Sequence, residues 1–320
     1  MKLPFENNST KIYEKYPFSD NFLKAPKPLS TKDLLQKGII ILDKPPGPTS
    51  HMAVDYLKKV LKLKKAGHSG TLDPQVTGAL PVALGKATRI THSLLTAGKE
   101  YVCLMHLHDD HTDEELNKVL DDFRGEITQL PPKKSAVKRQ NRQRTIYYLK
   151  ILERNQKDVL FLVGCQAGTY IRKLVHDIGL KLGSGAHMTE LRRTKAGPFN
   201  EKNSHTLQDI ADAFYYYNKG DETQLKNMLL PIEKGVDHLK KIWVQDSAVK
   251  TLTQGAYLKI PGVVKFSEGI LPNELVAVFS RYNQLVLVGH SQMSFDDLKR
   301  AKKGVVLTTK QVFLSPEDLN

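Results

Sequence analysis

Apolar residues gather in short runs along this chain, separated by amphipathic stretches and by breaks rich in proline and glycine. Gly38-Ile39-Ile40-Ile41-Leu42-Asp43-Lys44 predicts a buried strand, stopped by Pro45-Pro46-Gly47-Pro48. Thr49 or Ser50 then caps a helix expected to reach roughly Leu63. Ala79 to Leu84 is apolar again, and Ala87 to Thr96 has a helical pattern. Lys99 to Leu107 and Val159 to Cys165 have the composition of strands. Between them, Thr112 to Phe123 reads as an amphipathic helix with Thr112 as N-cap and acids in its first turn. Further helices are expected from the Gly168-Thr169 cap to Gly179 and over Leu207 to Tyr217. Residues 1–37 are polar, contain Pro4, Pro17, Pro26 and Pro28, and predict an extended arm wrapping another part of the molecule. From Ile242-Trp243-Val244 onward, short strand-like runs separated by Gly, Pro and Asn predict a small β-rich, barrel-like unit. Its boundary falls around 236–241, so the division is an arm (1–37), a main domain (38–240) and a C-terminal domain (241–320). No repeat is visible, and regular βαβ alternation is missing. An α+β fold with a mixed, largely antiparallel sheet follows.

Charge adds a partner class. The 320 residues carry 48 Lys+Arg against 34 Asp+Glu, a formal charge of +14. That excess suits a polyanion, because neutralising phosphates releases counterions. No unbroken apolar run has membrane-spanning length, and the N-terminus lacks the apolar core of a signal peptide. Cys103 and Cys165 stand outside any CxxC pairing, which excludes a disulfide framework or a four-Cys zinc site and makes a reducing cytoplasm the expected location. Residues 133–144 hold six basic residues and no acid, including Lys133, Lys134, Lys138 and Arg139. With Pro131-Pro132 before it and Tyr147-Tyr148 after, this stretch reads as a basic loop that clamps RNA. His106-Leu107-His108-Asp109-Asp110-His111 has the look of metal ligands. No second ligand cluster accompanies it, so a polar strand-to-helix turn is expected and no metal.

The most informative segment is Gly67-His68-Ser69-Gly70-Thr71-Leu72-Asp73-Pro74, continued by Gln75-Val76-Thr77-Gly78-Ala79-Leu80. It sets one carboxylate, Asp73, on an irregular loop where glycines permit tight turns and Pro74 biases Asp73 away from helix. Asp73 is the candidate catalytic residue, and His68 beside it invites a general-base role. Lys44 at a strand end either supports that loop or meets a phosphate. Arg172 lies near a helix start, where the helix already carries partial positive charge. Pairing with Asp73 would explain it, since an adjacent guanidinium keeps a carboxylate ionised and oriented.

These residues resemble the TruB/dyskerin family of RNA pseudouridine synthases, whose aspartate lies in a G-x-LDP-x-x-x-G-x-L setting. Matching stretches are Asp43-Lys44-Pro45-Pro46-Gly47-Pro48-Thr49-Ser50, Tyr101, Gly168-Thr169-Tyr170-Ile171-Arg172 and Gly185-Ala186-His187-Met188-Thr189-Glu190-Leu191-Arg192-Arg193-Thr194. The resemblance implies isomerisation of uridine in RNA to pseudouridine, without a cofactor. It implies that Tyr101 lies against the target base, that Leu191 is an apolar residue of the site, that Arg172 pairs with Asp73, and that His68 meets the RNA. Arg192 and Arg193 are candidate phosphate contacts, one of them open to a structural ion pair. The C-terminal unit is similar to a PUA RNA-binding domain through Gly255-Ala256-Tyr257-Leu258-Lys259-Ile260-Pro261-Gly262 and Lys303-Gly304-Val305-Val306. Within the family the chain most resembles the archaeal H/ACA ribonucleoprotein catalytic subunits. That implies a guide RNA and small partner proteins of the Nop, Gar and ribosomal-L7Ae-like types, with tRNA (T-loop uridine) and rRNA as targets. One dominant carboxylate fits an isomerisation better than a hydrolysis, which generally needs two. An RNA-binding scaffold without turnover and an RNA N-glycosylase are the competing readings.

Overall fold

Two sheets organise the chain, and each grows from the apolar runs. The computed structural model describes residues 1–7, 11–19, 23–131 and 138–315. The N-terminal segment supplies β1 (Ile12–Glu14) and α1 (Thr31–Lys37). Next come β2 (Gly38–Lys44), α2 (Ser50–Val60), β3 (Ala66–His68), β4 (Thr77–Leu84), α3 (Thr91–Leu95) and β5 (Lys99–Leu107). Helix α4 (Asp113–Asp122) leads to β6 (Gly125–Gln129), β7 (Arg142–Asn155) and β8 (Asp158–Cys165). The main domain closes with α5 (Ile171–Leu182), β9 (Ala186–Ala196), β10 (Phe199–Asn200), α6 (Leu207–Asn218), α7 (Thr223–Met228) and β11 (Leu229–Pro231). The C-terminal unit contains β12 (Lys240–Val244), α8 (Asp246–Thr253), β13 (Leu258–Lys259), β14 (Val263–Ser267) and β15 (Leu275–Phe279). It ends with β16 (Leu285–Ser291), α9 (Phe295–Arg300) and β17 (Val305–Val312).

The larger sheet runs β11-β2-β4-β9-β5-β8-β7-β6, with β3 against β4 and β10 against β9. Its one parallel junction is β4–β9, joined over only two residue pairs, Thr77 with Arg192 and Gly78 with Arg193. The smaller sheet runs β1-β14-β12-β15-β16-β17-β13, with a parallel junction at β12–β15. Both are mixed and largely antiparallel, as the sequence pattern predicts. The smaller sheet does not close, which corrects the barrel-like expectation. Its ends are β1, borrowed from the N-terminal segment, and β13, only two residues long.

The run at β2 is apolar at successive positions because both faces are covered. Ile40 and Leu42 pack with Leu57 of α2, Ile210 of α6 and Leu225 of α7. Ile39 and Ile41 face the other way, against a cluster that includes Trp243, Phe279, Leu285 and Val288 of the C-terminal unit. The two units therefore share a core. In β5 and β8 the pattern alternates: Cys103, Met105, Phe161 and Val163 turn toward Leu116 and Leu120 of α4 and Leu174 and Ile178 of α5.

Several expectations change. The segment 1–37 contains a helix, α1, started by a capping box between Ser30 and Asp33. Prolines on the N-terminal side concealed it. Its first strand extends the smaller sheet through Tyr13 opposite Phe266, and Gln245 holds Ser19 N–H at 3.0 Å and Pro17 C=O at 2.7 Å. Residues 85–90 form a 3-10 turn, so only the second half of the helix expected over 87–96 is α-helical. Helix α2 stops at Val60, three residues before the expected Leu63, and Lys62 adopts φ +52°. Gly168 and Thr169 lie outside α5, which starts at Ile171 without a side-chain cap. The 14-residue β7 and the 11-residue β9 went unread because charged side chains such as Arg142, Arg144, Arg192 and Arg193 interrupt their apolar pattern. Pairing on both sides overrides that local signal.

Candidate active site

The Asp73 loop runs between β3 and β4, at the narrow parallel junction of the large sheet. Val76 N–H closes a turn on Asp73 C=O at 3.0 Å, with Pro74 as its second residue, where its fixed φ fits. Three neighbours pin this turn from behind. Lys44 Nζ donates to the carbonyls of Pro45 (2.8 Å), Pro74 (2.9 Å) and Val76 (2.9 Å). Ser50 Oγ accepts from Leu72 N–H at 2.8 Å and donates back to Leu72 C=O at 3.1 Å. Gly47 N–H, from the proline-rich turn, donates to Pro74 C=O at 2.9 Å. Gly78 sits at φ +102°, and a Cβ there would lie 2.3 Å from Arg193 O, so glycine alone lets β4 approach β9 this closely.

The Asp73 carboxylate faces outward and accepts a hydrogen bond from Arg172, the second residue of α5. Both side chains are more than half exposed, 54% and 58%. An ion pair so open to water contributes little to stability. Its consequence is orientation of an accessible carboxylate.

Behind the loop lies Arg193, 1% exposed, whose guanidinium donates to Ala79 C=O at 2.8 Å and to Gly70 C=O at 3.4 Å. It also meets the Tyr101 hydroxyl, its cross-strand neighbour on β5. Burial raises the Tyr101 phenol above its ordinary value, so the ring is neutral. His68 Nδ1 accepts from Gly70 N–H at 3.3 Å. Burial, then the nearby Arg193 charge, depresses its pKa, so the imidazole is uncharged at neutral pH.

The N-terminal domain of TruB family pseudouridylate synthases matches residues 58–171, and a tRNA pseudouridylate synthase B C-terminal domain matches 172–237. A PUA domain matches 240–313. A relative from Methanopyrus kandleri, described as a probable tRNA pseudouridine synthase B, is 47% identical over 317 residues, covering 98% of this chain and 94% of the relative. The chain belongs to the TruB family of pseudouridine synthases. A second such relative, from Pyrococcus horikoshii, is 51% identical over 286 residues, covering 89% of this chain and 85% of its own length. Among solved structures, a Cbf5-Nop10-Gar1 complex contains a chain 46% identical, with a TM-score of 0.93 and coverage of 99% of this chain and 97% of that one. An H/ACA RNP bound to a substrate RNA containing 2′-deoxyuridine contains one 42% identical, with a TM-score of 0.91 and coverage of 100% and 99%. The chain is thus an RNA pseudouridine synthase with a PUA domain.

In this TruB-family enzyme the geometry gathers Asp73, Arg172, Tyr101 and His68 around one loop. Leu191 sits on β9 next to Arg192, which pairs with Thr77 at the start of β4. Lys44 is fully buried and bonded to three carbonyls. It supports the loop from behind and does not reach a phosphate, which corrects its placement among the substrate-binding residues. Arg192 is engaged by Asp43 (3.1 Å to each oxygen) and Glu201 (2.6 Å). Arg193 is buried and so is not a phosphate contact, whereas the Arg192 side chain keeps 40% exposure alongside its two carboxylate partners. Of the basic loop, Lys138 and Arg139 are exposed, while Lys133 and Lys134 lie outside the described residues. His106 pairs with Asp158 at 2.7 Å, His108 with His187 at 3.1 Å and His111 with Ser184 at 2.7 Å. Among the described residues no group of three or more His, Cys, Asp or Glu is arranged to hold a metal ion. Sequence reasoning missed Ser50 as a support of the loop, and read Arg193 as a phosphate contact where the structure has it buried behind the loop. A cation or hydroxyl at a position that strand or helix periodicity buries is the signal that points to them.

Proposed function

We propose that Asp73 carries out the isomerisation by acting at the target ribose, either attacking C1′ or removing a ribose proton to release the base. Arg172 keeps its carboxylate ionised and aimed. Tyr101 stacks on the flipped uracil, which has lost its neighbours in the RNA stack, while Leu191 closes the apolar side of the pocket and His68 contacts the RNA beside it. The observation that carries this reading is the exposed Asp73–Arg172 pair on a loop locked from behind by Lys44, Ser50 and Gly47. An accessible carboxylate on a rigid support is what positioned chemistry at one sugar carbon requires.

We further propose two kinds of target, the T-loop uridine of tRNA and guide-selected uridines in rRNA. The tRNA target is supported by the relatives described as tRNA pseudouridine synthase B. The guided target is supported by the high overall similarity to chains of a Cbf5-Nop10-Gar1 complex and an H/ACA RNP. The same similarity supports small proteins of the Nop and Gar types as partners, and we extend the proposal to a ribosomal-L7Ae-like partner and a cytoplasmic location. The PUA unit offers RNA a surface cleft of about 380 Å³ lined by residues that include the exposed Tyr257 and Lys259. An aromatic face beside a cation suits a stacked nucleotide and its phosphate.

The partition between targets is tested with purified protein and a tRNA transcript, alone and with guide RNA and partner proteins. Turnover by the protein alone supports stand-alone action on tRNA, and turnover only with guide and partners confines it to the ribonucleoprotein. Neutralising Lys133, Lys134, Lys138 and Arg139 together is expected to weaken RNA binding and flatten its salt dependence by about 0.7 per lost single-strand phosphate contact. An unchanged slope would mean that this stretch does not clamp RNA.

A further inference from the structure

Three cations are buried beneath the reacting loop: Lys44 at 0%, Arg193 at 1% and Lys99 at 5% exposure. All are bonded to carbonyls. Lys99 Nζ donates to Leu94, Leu95 and Ala97 at 2.7–3.0 Å, so that it caps the end of α3. Among the described residues, none of the three forms an ion pair with a carboxylate. Carbonyl dipoles satisfy N–H groups but bring no net negative charge, and the carboxylate that acts on Lys44 is Asp73 itself, on the loop above. Burial, reinforced for both lysines by the Arg193 charge, lowers the pKa of all three, taking Lys99 to about 7. Arginine keeps its proton even so. Apolar side chains would fill such space without the desolvation cost of a charge. A packing role alone therefore leaves these residue types unexplained.

Pseudouridine formation supplies a transient negative charge that would use them. When the C1′–N1 bond breaks, its electron pair departs on the base, giving a uracil anion delocalised over N1, O2 and O4. C1′ is meanwhile taken by an Asp73 oxygen, or relieved by transfer of a ribose proton to Asp73 that is later returned. The base then bonds to C1′ through C5. The C5 proton passes to solvent and N1 takes one up, so composition is conserved. This charge exists during the reaction and is absent from the bound uridine. Fixed cations aimed at it therefore favour the transition state over the ground state.

We propose that Arg193, with Lys44 beside it, forms a preorganised positive floor that stabilises the departing uracil anion. Both are positioning residues. They touch no substrate and act through the Tyr101 hydroxyl and the backbone of the Asp73 loop. Arg193 has the more direct path, because it holds Tyr101, Gly70 and Ala79 at once. Lys44 lies within electrostatic reach of both Asp73 and Arg193.

This inference rests on the pseudouridine synthase reading, and its test separates the two. Single-turnover rates are measured with one RNA carrying either uridine or 5-fluorouridine at the target, for the native protein, Arg193→Met and Arg193→Lys. The readout is loss of the N-linked nucleoside, which needs no C5 proton. Fluorine makes the departing anion more stable, so a protein lacking the cation should lean on it more. Arg193→Met is expected to react about 100-fold slower with uridine while binding RNA within about threefold of native. Its deficit should shrink at least about fivefold with 5-fluorouridine, and Arg193→Lys should stay within about tenfold of native on both. An equal deficit on the two bases would overturn the proposal, because a merely structural residue cannot sense leaving-group acidity. If Arg193→Met melts before assay temperature, Lys44→Met is measured on the same two bases. A smaller deficit with 5-fluorouridine then supports the proposal, and an equal one overturns it. Failure of the native protein to convert uridine contradicts the underlying activity instead.

Discussion

Asp73→Asn is expected to bind RNA with near-native affinity and to form no detectable pseudouridine. The substitution preserves shape, and the loop does not depend on the carboxylate. Its turn is closed by the Asp73 backbone carbonyl, while Lys44 and Ser50 grip Pro74, Val76 and Leu72 through backbone atoms. The side chain is 54% exposed, and surface substitutions of this kind change stability by about 0.5 kcal/mol or less. An amide lacks the charge to attack C1′ and the basicity to take a ribose proton, so both routes close together. Losing the one reacting group is expected to lower the rate about 10⁴-fold or more. Single-turnover assay beside a filter-binding isotherm checks both halves. Retained turnover in Asp73→Asn or Asp73→Ala would remove Asp73 from the chemistry, and absence of turnover in the native protein would favour a scaffold role.

Removing residues 240–320 is expected to unfold or aggregate the main domain as well as to weaken RNA placement. Trp243, Phe279, Leu285 and Val288 cover one face of β2 and β4, in a cluster with Ile39, Ile41, Ile90, Leu94 and Phe199. Re-exposing five such side chains at about 1.5–3 kcal/mol each costs on the order of 10 kcal/mol, comparable to the whole stability of a domain. The cut also leaves β1 without β14 and the arm without Gln245. Thermal unfolding followed by circular dichroism tests this. A truncated chain melting within about 5 °C of the full-length protein would show that the shared core is dispensable.

The parts of the fold legible in the sequence were those whose pattern has one cause. Residues 39–42 are apolar throughout because helices cover one face and the C-terminal unit the other. Thr112 announces α4 because its side chain meets Glu115 in a capping box. Strands β7 and β9 were hidden because their charged positions break the alternation, and the β9 arginines answer to tertiary partners: Arg192 to Asp43 and Glu201, Arg193 to Gly70 and Ala79. The site divides the same way. Asp73 and its glycines stand out as a local motif, and the unusual place of Arg172 at a helix start foretold its partner. Lys44 stayed open between two roles until its burial placed it behind the loop. Arg193 read as an RNA contact because the charged neighbours on β9 break the alternation that would mark its position as enclosed.

The most direct measurement is nucleoside analysis of a target RNA after incubation with the purified native protein, coupled to assay of the supernatant for free base. One uridine is expected to become its C5-linked isomer, with the mass of the RNA unchanged and no uracil released. Free uracil with an abasic site in the RNA would make the chain an N-glycosylase, and would contradict the isomerisation at the centre of this reading.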